Sequence, residues 1–219
     1  MALAATKPSP ARSRTLRGSR SGWKAKSNLA AAYESGGDPG RAIPLYEQTL
    51  ADRRRILGPD HPDTLTSASN LASAYQAGGD LGRAIPLFEQ TLADRRRILG
   101  PDHPDTLTSA NNLAYAYESG GDLGRAIPLY EQTLTDTRRI LGPDHVTVAV
   151  VLFRLAGIQL ALGDATAAVR CIQRAIGIDQ NAYGDDHPEI ATDLVRGPRR
   201  SRAGRWGFCG RPHEPTQGT

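Results

Sequence analysis

The chain has 219 residues, 39% hydrophobic and 23% charged, with a formal net charge of +4. It contains no apolar run long enough for a signal peptide or a membrane span, and its two cysteines form no C-x-x-C, which points to a reduced, cytoplasmic protein with neither a disulfide framework nor a zinc site. The positive charge lies outside the patterned region: residues 1–27 hold seven Lys/Arg and no acid, 196–219 hold six Arg and one Glu, and 28–195 keep 14 Arg against 22 Asp/Glu, a net charge of about −8 with no grip on nucleic acid.

Residues 1–23 are rich in Arg, Ser and Pro and lack a repeat pattern, so they are expected to form a disordered basic tail. The use of 24 Arg against 3 Lys, with abundant Ala and Gly, suggests a GC-rich bacterial genome rather than a transit peptide. From Asn28 the text repeats every 42 residues. Asn28–Ser69 and Asn70–Asn111 differ at six positions, a third copy starts at Asn112, and a diverged fourth runs from Arg154. A fixed period of this size means stacked supersecondary units, none able to bury its apolar face alone.

Within the second copy, Leu65, Ala68, Leu71, Ala72 and Tyr75 recur at helical spacing, as do Ala84, Leu87, Phe88, Leu92 and Ile98. Gly78-Gly79 between the two runs suits a helix C-cap, and Asp80 suits an N-cap. The pattern therefore predicts two helices per copy, about residues 62–77 and 81–98 here, followed by a Gly100-Pro101-Asp102-His103-Pro104 connector. No run of this length alternates with a strand's period of two. Pro44, Pro86 and Pro128 fall about six residues into each second helix, opposite Gly40, Gly82 and Gly124, and imply a tolerated local kink.

Leu71, Ala72, Tyr75, Ala84 and Phe88 return as Leu29, Ala30, Tyr33, Ala42 and Tyr46, and as Leu113, Ala114, Tyr117, Ala126 and Tyr130. These match the packing positions of the tetratricopeptide repeat, which the chain resembles over about residues 24–195. The long period and the L-G-P-D-H-P connector are similar to the kinesin-light-chain variety of that repeat. The sequence departs from the family at its first-helix tryptophan (here Ala68 or Ala110) and its late alanine (here Thr91 or Thr133). The resemblance implies an all-α, right-handed α-solenoid of antiparallel helix pairs. It also implies a non-catalytic scaffold without cofactor or metal that binds a peptide or protein segment in a concave groove lined by the first helices.

On that arrangement, Ser69, Asn70, Ser73, Gln76, Ala77 and their equivalents face the groove. Four of the six differences between copies one and two fall there, while Arg83, Glu89, Gln90 and Asp94 of the outer helix do not change. The third copy changes again, to Tyr115, Glu118 and Ser119. These positions read as diversified for ligand choice. Asn28, Asn70 and Asn112 stay fixed, and a side-chain amide can donate to and accept from an extended peptide backbone. Arg154 replaces them in copy four and would offer a carboxylate a charge-assisted contact. The candidate peptide-binding set is Asn28, Asn70, Ser73, Gln76, Asn111, Asn112, Tyr115, Glu118 and Arg154.

Val146–Leu162 is nearly continuous apolar text, with Val150, Phe153 and Leu160 at groove positions, so the fourth copy is a candidate for self-association or for an absent neighbour. His61, His103, His145 and His187 occur once per copy and read as connector residues rather than ligands of one metal ion. Arg53–Arg55, Arg95–Arg97 and Arg138-Arg139 sit late in the second helices and read as solvated, partly paired helix ends, or as a basic edge for an acidic partner. A fifth copy starts at Asp186 but meets Gly197-Pro198, so residues 196–219 are expected to be a disordered tail or an interrupted array. Two further readings are a sensor array of a larger signalling ATPase or protease, and a self-associating array.

Overall fold

The computed structural model describes residues 10–183. They form eight α-helices: α1 (Pro10–Ser35), α2 (Pro39–Leu57), α3 (Pro62–Ala77), α4 (Leu81–Leu99), α5 (Pro104–Ser119), α6 (Leu123–Leu141), α7 (Val146–Ala161) and α8 (Ala165–Tyr183). The described residues contain no strand, and consecutive helices pack as pairs. Two compact units result, one ending at Ile98 and the other beginning at Leu99. Within the first, α2 packs on α1 and on α3; within the second, α6 packs on α5 and on α7, and α8 packs on α7.

The reversal inside each pair follows from the Gly-Gly-Asp text. Gly79 adopts φ +82°, which an L side chain rarely does. Its N–H donates to the Gln76 carbonyl (3.0 Å), and the Asp80 N–H donates to that of Tyr75 (2.9 Å). These two bonds take up carbonyls that the end of α3 would otherwise leave orphaned. The Asp80 carboxylate then accepts from the Arg83 N–H (3.1 Å) and opens α4. The same corner recurs at Asp38, Asp122 and Asp164. At the other corner, His61, His103 and His145 are the N-caps of α3, α5 and α7, each Nδ1 accepting from the backbone two residues on, at 3.1, 3.1 and 3.2 Å. The connector histidines are thus helix starters, and His187 lies outside the described residues.

The core is made of the repeating apolar positions. Ala30, Ala72 and Ala114 are fully buried, as are Ala42, Ala84 and Ala126. Thr49, Thr91 and Thr133 stand where the family carries an alanine, and they too are buried. Each hydroxyl donates to the carbonyl four residues earlier (2.8, 2.7 and 2.7 Å), so the polar group enters the core satisfied. In the fourth copy Ala175 fills that position and packs with Val148, Ala149, Leu152 and Ile178.

One expectation is corrected. Residues 10–23 belong to helix α1, not to a disordered tail. Trp23 is the reason: it is 4% exposed and stands 42 residues before Leu65, which is 3% exposed, so it fills that residue's packing position. Residues 1–9 and 184–219, including the aborted fifth copy and the tail at 196–219, lie outside the described residues.

Two glycine substitutions separate these roles. Gly121→Ala places a side chain at φ +77° and is expected to cost about 1–2 kcal/mol. Gly177→Ala, inside α8 with open space around the added carbon, is expected to gain up to about 1 kcal/mol. Urea unfolding followed by circular dichroism measures both, and equal effects would refute the assignment of Gly121 to the reversal.

Candidate functional site

The first-helix positions carry two different kinds of residue. Tyr130 on α6 is fully buried, and its hydroxyl donates to Glu118 Oε2 on α5 at 2.8 Å. Tyr46 does the same for Glu34 at 3.1 Å. In copy two the tyrosine is Phe88, which has no hydroxyl to place, and the carboxylate is replaced by Gln76. In copy four the pair is Leu160 and Ile172. Glu goes with Tyr, Gln with Phe and Leu with Ile, and in copies one and three the two residues are a hydrogen-bonded pair inside the hairpin. Gln76 and Glu118 were expected to vary for ligand choice; their variation follows the buried partner instead. Burial pushes both Glu34 and Glu118 above the ordinary Glu range; the tyrosine hydrogen bonds, and for Glu118 the Arg154 charge, pull the other way.

Ser69 and Asn111 are placed deeper than their neighbours in the candidate set. Ser69 is buried, and both Ser69 Oγ and Asn111 Oδ1 are enclosed without a hydrogen-bond partner. Their equivalent in copy four is Phe153, which packs against the core cluster of α7 and α8 rather than facing outward. This position borders the interior.

The remaining candidates do face outward, at least in part. Asn28 is exposed, and Asn70, Asn112, Ser73 and Tyr115 are half-buried. Among the described residues no hydrogen bond engages the side-chain amides of Asn28, Asn70 or Asn112. In the second unit, Arg154 on α7 lies 4.0 Å over the Tyr115 ring on α5. The stack is a cation–π contact that holds the guanidinium in one orientation, and it brings together Tyr115, Glu118 and Arg154, three residues selected from sequence alone.

The constancy of the outer positions also has a local cause. Arg83 pairs with Asp80 through Nε and stacks on Tyr75 at 4.2 Å, and Arg125 repeats this with Asp122 and Tyr117. Gln90 donates to Asp94 at 3.0 Å, and Gln132 to Asp136 at 2.8 Å. These residues are pinned by partners, so their invariance does not measure the drift of a free surface.

The arginine runs divide three ways. Arg53 donates to the Asp63 carbonyl and to Ser67 Oγ, both at 2.8 Å, and Arg95 is 6% exposed, so the first member of each of the two triple runs turns inward. Arg54, Arg96 and Arg138 are exposed. Arg97 reaches back to Asp60 in the preceding connector at 2.6 Å, and Arg139 to Asp102 at 2.7 Å. Hydrogen bonds from these arginines hold Asp60 and Asp102 below the ordinary Asp range. The runs are therefore mainly rungs between repeats. No group of three or more His, Cys, Asp or Glu is placed to hold a metal ion among the described residues.

A family model described as Tetratricopeptide repeat matches residues 24–97, 70–139 and 121–181. The chain belongs to the tetratricopeptide repeat family. Among solved structures, a kinesin light chain of Podosopora anserina with nearly identical TPR-like repeats is 30% identical, covers 81% of this chain and 85% of its own, and superposes with a TM-score of 0.66. BtubC (BKLC) from P. vanneervenii is 24% identical, covers 82% of this chain and 68% of its own, and shares the fold at a TM-score of 0.63. A search of curated proteins gave no match. The fold is thus a tetratricopeptide-type solenoid with kinesin-light-chain-like neighbours. Repeats of this family generally mediate protein–protein interaction and are generally non-catalytic. No described helix is long and apolar enough to cross a membrane.

The matched pairs can be tested by a double-mutant cycle. Tyr130→Phe alone leaves the half-buried Glu118 without its donor and is expected to cost about 1–3 kcal/mol. Adding Glu118→Gln, which recreates the copy-two pair, should recover most of that loss. Because burial raises the Glu118 pKa, its protonated form favours the folded state. That contribution is present below the ordinary Glu value of 4.5 and is lost as pH rises through the higher folded value. Glu118→Gln should remove this part of the pH dependence of urea midpoints.

Proposed function

We propose that this chain is a non-catalytic protein-binding array whose first helices hold an extended segment of a partner in their concave groove. The observation that carries the reading is the asparagine series. Asn28 and Asn70 in the first unit and Asn112 in the second occupy one position of the 42-residue period, and among the described residues no hydrogen bond uses their amides. Nothing in the packing of a hairpin requires an amide there, since the adjacent Leu and Ala positions do the burying. A peptide backbone offers both of the partners an amide wants, without regard to the peptide's side chains.

The fourth copy changes the chemistry at the same position. Arg154, stacked on Tyr115 and electrostatically coupled to Glu118, replaces the amide with a cation, the chemistry that recognises a carboxylate of a bound segment. The residues at one further position, Ala31, Ser73, Tyr115 and Gly157, differ in every copy. Side-chain selectivity is assigned to them.

Peptides selected from a displayed random library against the intact chain provide the test. Changing Asn28, Asn70 and Asn112 together to Ala should leave the circular dichroism unchanged. At about 1 kcal/mol per lost hydrogen bond, it should weaken the selected peptides roughly 100-fold. Arg154→Gln should weaken only peptides that carry a carboxylate. Affinity that survives the triple change but collapses with Arg54→Gln and Arg96→Gln would move the binding face to the exposed arginine edge.

A further inference from the structure

The contact between a second helix and the first helix that follows it is visible at α2 and α3. There Leu71 is 5% and Tyr75 7% exposed. Glu47 Oε1 accepts from the Tyr75 hydroxyl at 2.6 Å, and Ile43 Cδ1 lies 3.6 Å from a carbon built on Gly78.

Helix α1 carries the same receiving surface with no other described helix on it. Leu29, equivalent to Leu71, is 47% exposed, and Tyr33, equivalent to Tyr75, is half-exposed with no hydrogen bond on its hydroxyl among the described residues. Gly36, equivalent to Gly78, meets only atoms of its own helix. Helix α8 carries the same donating surface, likewise open. Val169 stands at the position of Ile43 and is 49% exposed. Gln173 stands at that of Glu47 and is exposed, and Ile172 and Ile176 stand at those of Tyr46 and Leu50 but are only half-buried, where Tyr46 and Leu50 are 3% and 4% exposed.

We propose that α8 of one molecule docks on α1 of a second copy, continuing between chains the contact that α2 makes with α3 within one. Val169 takes the place of Ile43 against Gly36. Leu29 is covered by the Ile172–Ile176 stripe. The Gln173 side-chain carbonyl accepts from the Tyr33 hydroxyl, as Glu47 does from Tyr75. A second copy is the occupant that fits because each face repeats one half of an interface this sequence already makes. The two faces differ, so the contact is heterologous: it links molecules head to tail and closes only if the geometry forms a ring.

Sedimentation velocity of the full chain over a concentration series tests this with two substitutions at exposed sites, Leu29→Glu and Val169→Glu. The wild type should show mass above the monomer that grows with concentration or settles at a closed ring. Each variant alone should lose every species above the monomer while keeping its helical circular dichroism. An equimolar mixture of the two should form a dimer and nothing larger, because the first variant keeps its α8 face and the second its α1 face. Tyr33→Phe, which keeps the ring, should weaken association without abolishing it. A wild type that stays monomeric at every concentration, as when the chain's own residues 184–219 cover α8, overturns the proposal. So does a dimer that Val169→Glu destroys and Leu29→Glu leaves intact, since that pairs α8 with α8.

Discussion

A first helix in this molecule buries its apolar face only when second helices stand beside it, and the rest of the structure follows from that requirement. Where α2 packs on α3, Leu71 and Tyr75 disappear from solvent; on α1 the same residue types remain open at Leu29 and Tyr33. No hairpin of about 40 residues can bury enough surface to offset the entropy of ordering it. Stacking supplies the missing contact, which is why the sequence repeats with so few changes. The same dependence leaves one receiving face and one donating face among the described helices.

Stacking places polar groups inside as well as apolar ones, and several of them are met locally. The buried threonines bond back along their own helices, the capping histidines and aspartates close the corners, and arginines from one repeat reach the connector aspartate of the one before. The ion pairs are fully solvated and add little stability individually. Their geometric effect is larger: Arg97 to Asp60 and Arg139 to Asp102 span the same 37 residues and set the same offset each time. In the fourth copy Asn181 stands where that arginine would be, and Arg174, from a different turn of α8, takes over the contact with Asp144.

These internal obligations sort the variable positions. Positions 34, 76, 118 and 160 vary with what lies beneath them, at 46, 88, 130 and 172. The asparagine series and Ser73 carry no such internal obligation among the described residues, and the proposed reading leaves them to a partner. Tyr115 links the two categories, since it is turned outward and also supports Arg154. A surface in which a few residues are free and their neighbours are fixed by packing suits recognition of an extended chain, because the fixed residues keep the free ones in place.

The sequence alone determined the fold class, the helix boundaries of the second copy within about a residue and the corner chemistry, because helical periodicity, Gly-Gly-Asp and Pro after His are local signals repeated several times over. It also held signals that were missed, namely Trp23 at exactly one period before Leu65 and the Glu–Tyr, Gln–Phe, Leu–Ile series at a spacing of 12. Tertiary structure decided what periodicity cannot express. A position's exposure depends on the neighbouring helix, so Ser69 Oγ and Asn111 Oδ1 are enclosed while the amides of Asn70 and Asn112, one residue on, make no hydrogen bond among the described residues. Likewise three consecutive arginines have one composition but three environments, since successive helical residues point about 100° apart and, of Arg95–Arg97, Arg97 is the one that meets the preceding connector.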